Sequence, residues 1–115
     1  MPHIIIECSQ HIAKSLDFKN LAQDINQYLA QALPTQVSHC KSRLLPYADY
    51  LVGDKTQTSF LHVTLKILPG RTLDLQKAVG EKLMKILNQY IQDKEIAISI
   101  EIIELKAETY FKFTS

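Results

Sequence analysis

Phe60-Leu61-His62-Val63-Thr64-Leu65-Lys66-Ile67 alternates well between apolar and polar residues from Leu61 onward. Leu61, Val63, Leu65 and Ile67 fall on one side; His62, Thr64 and Lys66 fall on the other. A side-chain period of two marks a strand with one buried face. The chain opens on a related pattern. Pro2-His3-Ile4-Ile5-Ile6 lines up with Leu61-His62-Val63-Thr64-Leu65, and Leu16-Asp17-Phe18 with Leu73-Asp74-Leu75. The offset is 59 residues at the strand and 57 at the helix start, half of a 115-residue chain. Two copies of one strand–helix unit are therefore expected.

The rest of the chain fills in those units. His3 to Cys8 reads as a strand, apolar on both faces through Ile4, Ile5 and Ile6. Ser9 to Asp17 reads as a polar loop. Phe18 to Leu33 has helical spacing, with Phe18, Leu21, Ile25, Tyr28, Leu29, Ala32 and Leu33 on one face. Asp17 suits its N-cap and Pro34 its end. An extended stretch follows from about Val37 to Tyr50, where Pro46 points to an edge or a break. Gly53-Asp54-Lys55-Thr56 and Pro69-Gly70 read as turns, and Thr72 as a cap. Leu73 to about Ile91 is the second helix, its buried stripe Leu75, Val79, Leu83, Ile86, Leu87, Tyr90 and Ile91. Glu95 to Leu105 is the last strand, with Ile96, Ile98, Ile100 and Ile102 on one face and Ile103 on the other. The tail, Lys106 to Ser115, carries Tyr110, Phe111 and Phe113, which suggest that it packs on something.

The order is β-α-β twice in a single domain, 1–115. It implies an α+β, two-layer fold: a four-stranded sheet with two helices on one face. The other face is left bare. Strands with isoleucine and valine on both faces would expose an apolar patch there, so copies of the chain are expected to cover it.

Composition narrows the function. Hydrophobic residues are 46% and charged residues 22%, which excludes disordered and low-complexity classes. Thirteen basic residues against twelve acidic ones give a net charge of +1, too small an excess for a general nucleic-acid binder. Two cysteines, Cys8 and Cys40, are too few for a disulfide scaffold. The start has neither the basic residues nor the apolar run of a secretory signal, and no segment approaches the roughly 20 apolar residues of a membrane span. A reduced cytoplasmic protein with no membrane partner is the simplest expectation.

Several chemistries have no footprint in the sequence. Three glycines leave little room for a phosphate loop. There is no G-x-S-x-G elbow and no H-E-x-x-H. His3, His11, His39 and His62 are scattered, and neither they nor the cysteines show metal-ligand spacing, so no metal site is expected. Cys8, on a strand, reads as a small buried hydrophobe. What remains is the N-terminus. Aminopeptidases usually remove Met before a small residue such as proline, which would make Pro2 a free secondary amine. A terminal amine has a reference pKa of about 7.7–8.0, and burial or nearby cations favour its neutral, basic form. Alternatively, Pro2 is only a tolerated second residue. Lys41 and Arg43 lie at i and i+2 on one strand face, and Arg71 follows Pro69-Gly70. Guanidinium groups suit carboxylates. On its own Lys41 reads as a solvated charge, while Arg43 and Arg71 stay open between that and carboxylate recognition.

Together these residues resemble a known family. Met1-Pro2-His3-Ile4-Ile5-Ile6-Glu7-Cys8-Ser9 resembles the opening of the 5-carboxymethyl-2-hydroxymuconate delta-isomerase family, in the tautomerase superfamily. His62-Val63-Thr64-Leu65-Lys66-Ile67 with Gly70-Arg71-Thr72 is similar to its centre. Ser99-Ile100-Glu101-Ile102-Ile103-Glu104-Leu105 with Phe111-Lys112 is similar to its end. The resemblance implies a homotrimer of paired β-α-β units with the sheets packed inside. It implies an amino-terminal proline that moves a proton between carbons of a dienol or keto acid, without metal or organic cofactor. By position, Pro2 would be the acid/base, and Arg71, Arg43 and Lys41 would bind the carboxylates of a small anionic substrate. The family pattern here is Arg-Ser-Arg, so Lys41 keeps the charge and loses the bidentate fork. Pro46 to Ser59 also departs from the family pattern. The implied activity is isomerisation of a hydroxymuconate-type dicarboxylate in aromatic-compound catabolism. The alternatives are a tautomerase of another keto or enol acid, of phenylpyruvate type, and a non-catalytic trimeric binding protein.

Overall fold

A computed structural model describes residues 1–114. Its elements are β1 (His3–Ser9), α1 (Gln10–Ser15), α2 (Phe18–Ala32), β2 (Lys41–Tyr47), β3 (Ser59–Ile67), α3 (Leu73–Tyr90) and β4 (Ile96–Glu104), with short 3-10 turns at Val37–His39 and Ala107–Thr109. The sheet order is β2-β1-β3-β4. β1 and β2 pair in parallel, as do β3 and β4, while β1 and β3 meet antiparallel. Each half is thus a strand–helix–parallel strand unit, and the two units join through their first strands.

The repeat places these elements well, apart from two stretches. Val37–His39, expected to be extended, is a 3-10 turn, so β2 spans only Lys41–Tyr47 of the expected stretch. Ser9–Asp17 holds the six-residue helix α1, where a polar loop was expected. Ile12 is the reason: it is 2% exposed and enters the core cluster, with Leu16 beside it. Two adjacent apolar residues, Ile12 and Ala13, in a polar hexapeptide leave no periodic signal. The extra turn also shifts the alignment of the halves. Asp17 caps α2, its Oδ1 accepting from Asn20 N at 3.4 Å and its Oδ2 from Asn20 Nδ2 at 2.7 Å. The cap of α3 is Thr72, whose Oγ1 accepts from Leu75 N at 3.1 Å. It lies two residues before Asp74, the residue aligned with Asp17.

The core lies between the sheet and the helices. Ile4, Ile6 and Cys8 of β1 and Leu61, Val63, Leu65 and Ile67 of β3 form its floor. Leu21, Ile25 and Leu29 of α2 and Val79, Leu83, Ile86 and Leu87 of α3 form its roof. Burying each such side chain stabilises the fold by about 1.5–3 kcal/mol. Cys8 and Cys40 are free thiols within this core, and burial pushes both pKa values up. Pro46 lies on β2, an outer strand of the sheet, where a missing N–H costs no ladder bond on the open side.

The opposite face of the sheet carries no helix. It is more polar than the isoleucine-rich strands suggested. Ile5, Leu45, Phe60 and Ile103 are interspersed there with His3, Glu7, Lys41, Arg43, His62, Lys66 and Glu101. Cross-strand partners satisfy several of these groups. His62 Nδ1 bonds Ser99 Oγ at 2.7 Å and His62 Nε2 bonds Glu101 Oε1 at 3.0 Å, and Tyr47 donates to Glu7. Among the described residues, no helix is long and apolar enough to cross a membrane.

Candidate active site

Pro2 is buried at the head of β1. Its carbonyl accepts from Lys41 N at 3.0 Å, the bond that opens the parallel β1–β2 ladder. That register sets His3 beside Lys41 and Ile5 beside Arg43. A parallel pair keeps side chains at matched positions on one face, so Lys41 and Arg43 share the open face with His3.

Arg43 and His3 touch. Arg43 Nη1 donates to His3 Nδ1 at 3.1 Å. A guanidinium can only donate, so Nδ1 is the acceptor and the neutral ring carries its proton on Nε2. Nε2 lies 2.8 Å from Tyr110 Oη and donates to it. The two rings meet edge to face, with centroids 5.8 Å apart. Burial first, then the charges of Arg43 and Lys41, hold the His3 pKa below its usual value. The neutral tautomer and the hydrogen bonds are thus consistent.

Arg71 reaches the same end of the molecule from the turn before α3. Gly70 there has φ +116°, open to glycine and strained for any other residue. Arg71 Nε donates to Leu33 O at 2.9 Å, and Nη2 donates to the same oxygen. Leu33 is the C-cap of α2, so the guanidinium satisfies an orphan carbonyl at the negative end of that helix. Two of its five N–H donors are used this way.

The terminal ammonium, now on Met1, reports the electrostatics of this corner. Its pKa is lowered by burial first, then by the charge of Lys112; Cys40 opposes, and Arg71 and Lys41 add to the lowering. The structure therefore brings Lys41 and Arg71 together around the chain start. Arg43 stands one step away, across His3. Lys112, which the sequence reading left unassigned, joins them: its Nζ lies 3.5 Å from Met1 Sδ. It is 111 positions from Met1, and no local pattern carries such a contact. Such an arrangement can lower the pKa of an amine and hold an anion beside it.

A separate cleft of about 310 Å³ is lined by Ile12, Ser15, Leu16, Asp17, Tyr90 and Gln92. It lies beyond the other end of β1, at α1 and the end of α3. None of the four cations lines it, so it is the weaker candidate. Among the described residues, no group of three or more His, Cys, Asp and Glu side chains is placed to hold a metal ion.

The model of the family 5-carboxymethyl-2-hydroxymuconate isomerase matches residues 2–115. The chain belongs to that family. It is 30% identical over 117 residues to the 5-carboxymethyl-2-hydroxymuconate Delta-isomerase of Escherichia coli, covering 97% of this chain and 93% of that one. The solved 5-carboxymethyl-2-hydroxymuconate isomerase from Deinococcus radiodurans R1 superposes with a TM-score of 0.86 at 21% identity, over 99% of this chain and 90% of the other. A fused 4-OT wild-type symmetric trimer superposes with a TM-score of 0.70 at 12% identity, over 94% and 91%. As a member of the 5-carboxymethyl-2-hydroxymuconate isomerase family, the protein is an isomerase with a tautomerase-type fold.

Proposed function

We propose that this isomerase shifts a proton within an unsaturated hydroxymuconate-type dicarboxylate, in aromatic-compound catabolism, with Pro2 as the acid/base. The observation that carries the reading is the corner around the chain start. Pro2 is buried at the head of a strand, and the cations Lys41, Arg71 and Lys112 act on the adjoining amine.

The reaction needs Met1 removed, because an amide nitrogen is no base. The freed proline amine then inherits the same burial and the same positive neighbours. Both disfavour its protonated form, so a larger share is neutral near pH 7. The neutral nitrogen takes a proton from one substrate carbon. The C–H electrons pass into the conjugated system and onto the carbonyl oxygen, giving a dienolate. Lys41, Arg43 and Arg71 hold the carboxylates and stabilise that charge as it forms. The protonated amine then returns the proton to another carbon, and the double bond is left in its new place. No net charge or electron is gained.

The proposed assembly is a homotrimer with the open sheet faces turned inward. The trimeric neighbour and the apolar residues on that face support it. The partners of the enzyme are then a small dianion and two further copies of the chain.

The test uses protein freed of Met1, assayed on a hydroxymuconate-type diacid and on a phenylpyruvate-type enol. Faster, Pro2-dependent turnover of the diacid is expected. Pro2→Ala should lower it by about 100-fold or more, the scale of a positioned general base. Full activity in Pro2→Ala would end the proline mechanism. A preference for the monoacid would move the substrate to the keto–enol class, as Lys41 in place of the family arginine allows.

A further inference from the structure

We infer that Lys112, delivered by the C-terminal tail, is a further substrate-anchoring residue of the Pro2 site and takes the substrate carboxylate held closest to the amine. This rests on the proline reading above and extends it to a residue outside the predicted set.

The tail is held as far as Lys112 by contacts with the sheet and with the chain start. After β4, Leu105 N donates to Ile67 O at 2.7 Å and turns the chain back over the sheet end. The turn at Ala107–Thr109 follows, with Thr109 N donating to Lys106 O at 3.1 Å. Tyr110 then accepts from His3 Nε2 at 2.8 Å and packs against its ring. His3 is the residue after Pro2, so this contact ties the tail to the chain start. Two residues later, Lys112 Nζ stands 3.5 Å from Met1 Sδ.

That distance places the ammonium against the Met1 side chain. Met1 is joined to the Pro2 nitrogen by its peptide bond, so the residue borders that nitrogen. Cleavage of Met1 gives its space to the substrate. A carboxylate entering it meets Lys112 Nζ where a thioether now sits. A thioether is a weak acceptor, whereas a carboxylate makes a strong charge-assisted bond. A further cation adds donors to those of Lys41, Arg43 and Arg71, because Arg71 already spends two donors on Leu33 and Arg43 spends one on His3. The charge of Lys112 is also the largest acting on the terminal ammonium after burial. Of the tail aromatics expected to pack, Tyr110 meets His3, whereas Phe111 and Phe113, on either side of Lys112, are 86% and 89% exposed.

The experiment compares Lys112→Met and Lys112→Arg with Pro2→Ala, all freed of Met1, on the hydroxymuconate-type diacid across pH. Lys112→Met should raise KM about tenfold, the scale of one lost charged hydrogen bond. It should also move the ascending limb of kcat/KM to higher pH, because removing a cation raises the amine pKa. Lys112→Arg should restore both. Unchanged KM and an unchanged limb, with Pro2→Ala inactive, would overturn the role of Lys112 and leave the proline mechanism standing. A KM rise that arginine does not reverse would also overturn it, marking tail packing instead. Full turnover by Pro2→Ala would remove both proposals.

Discussion

His3, the first residue of β1 and the neighbour of Pro2, is bonded to Arg43 on one nitrogen and Tyr110 on the other. Its folded-state pKa is depressed, by burial first and by Arg43 next. A group of this kind binds protons more readily when unfolded. Its stabilising effect is therefore full above the unfolded value of about 6.5 and is lost as pH falls through the lower folded value. Thermal unfolding from about pH 7.5 down to pH 5.5 should show the loss, and His3→Gln should lessen it. A variant with the same acid slope as the parent would show that His3 is not the group responsible. Arg71 shows how one side chain can serve two ends. The charge that acts on the chain start is the one that caps α2. The sequence could place Arg71 after a turn, but the Leu33 carbonyl is 38 positions away and left no trace in the local pattern.

At the scale of elements, α3 begins where a cap dictates. Thr72→Ala should lower stability by about 1 kcal/mol, read by urea denaturation, through loss of the bond to Leu75 N. A change near zero would mean that water replaces the cap without cost. The elements that were legible in the sequence share one property: their apolar period is long. β3 shows it over nine residues and α3 over eighteen, and both fall within a residue or two of where the pattern put them. α1 was missed because Ile12 alone carries its burial. The candidate site was legible in part. Pro2, Lys41, Arg43 and Arg71 could be named from chemistry and resemblance. Which of them cluster could not, because that depends on β1–β2 register and on the tail's return to His3. Lys112 was missed for the same reason.

At the scale of the whole molecule, the question is what covers the open sheet face. Its groups are partly paired across strands, so hydrophobicity alone does not demand a cover. Ile5, Leu45, Phe60 and Ile103 still offer apolar contact between those pairs, and such alternation gives register as well as area. Sedimentation equilibrium should give about three times the 13.1 kDa chain mass. Ile5→Lys, placing a charge beside Arg43 at the centre of that face, should shift the protein toward monomer. A trimer indifferent to Ile5→Lys would place the interface elsewhere.

The central claim is that the chain presents a neutral proline amine in a cation-lined corner. The most direct measurement is a nitrogen-15 NMR titration of proline-labelled protein after Met1 removal. Of the four prolines, only Pro2 would then carry an amine. The account predicts a single titrating signal with a midpoint below the reference of about 8 for a terminal amine. A midpoint at or above that value would contradict it, because the corner would then favour the protonated nitrogen and leave no base for the proton transfer.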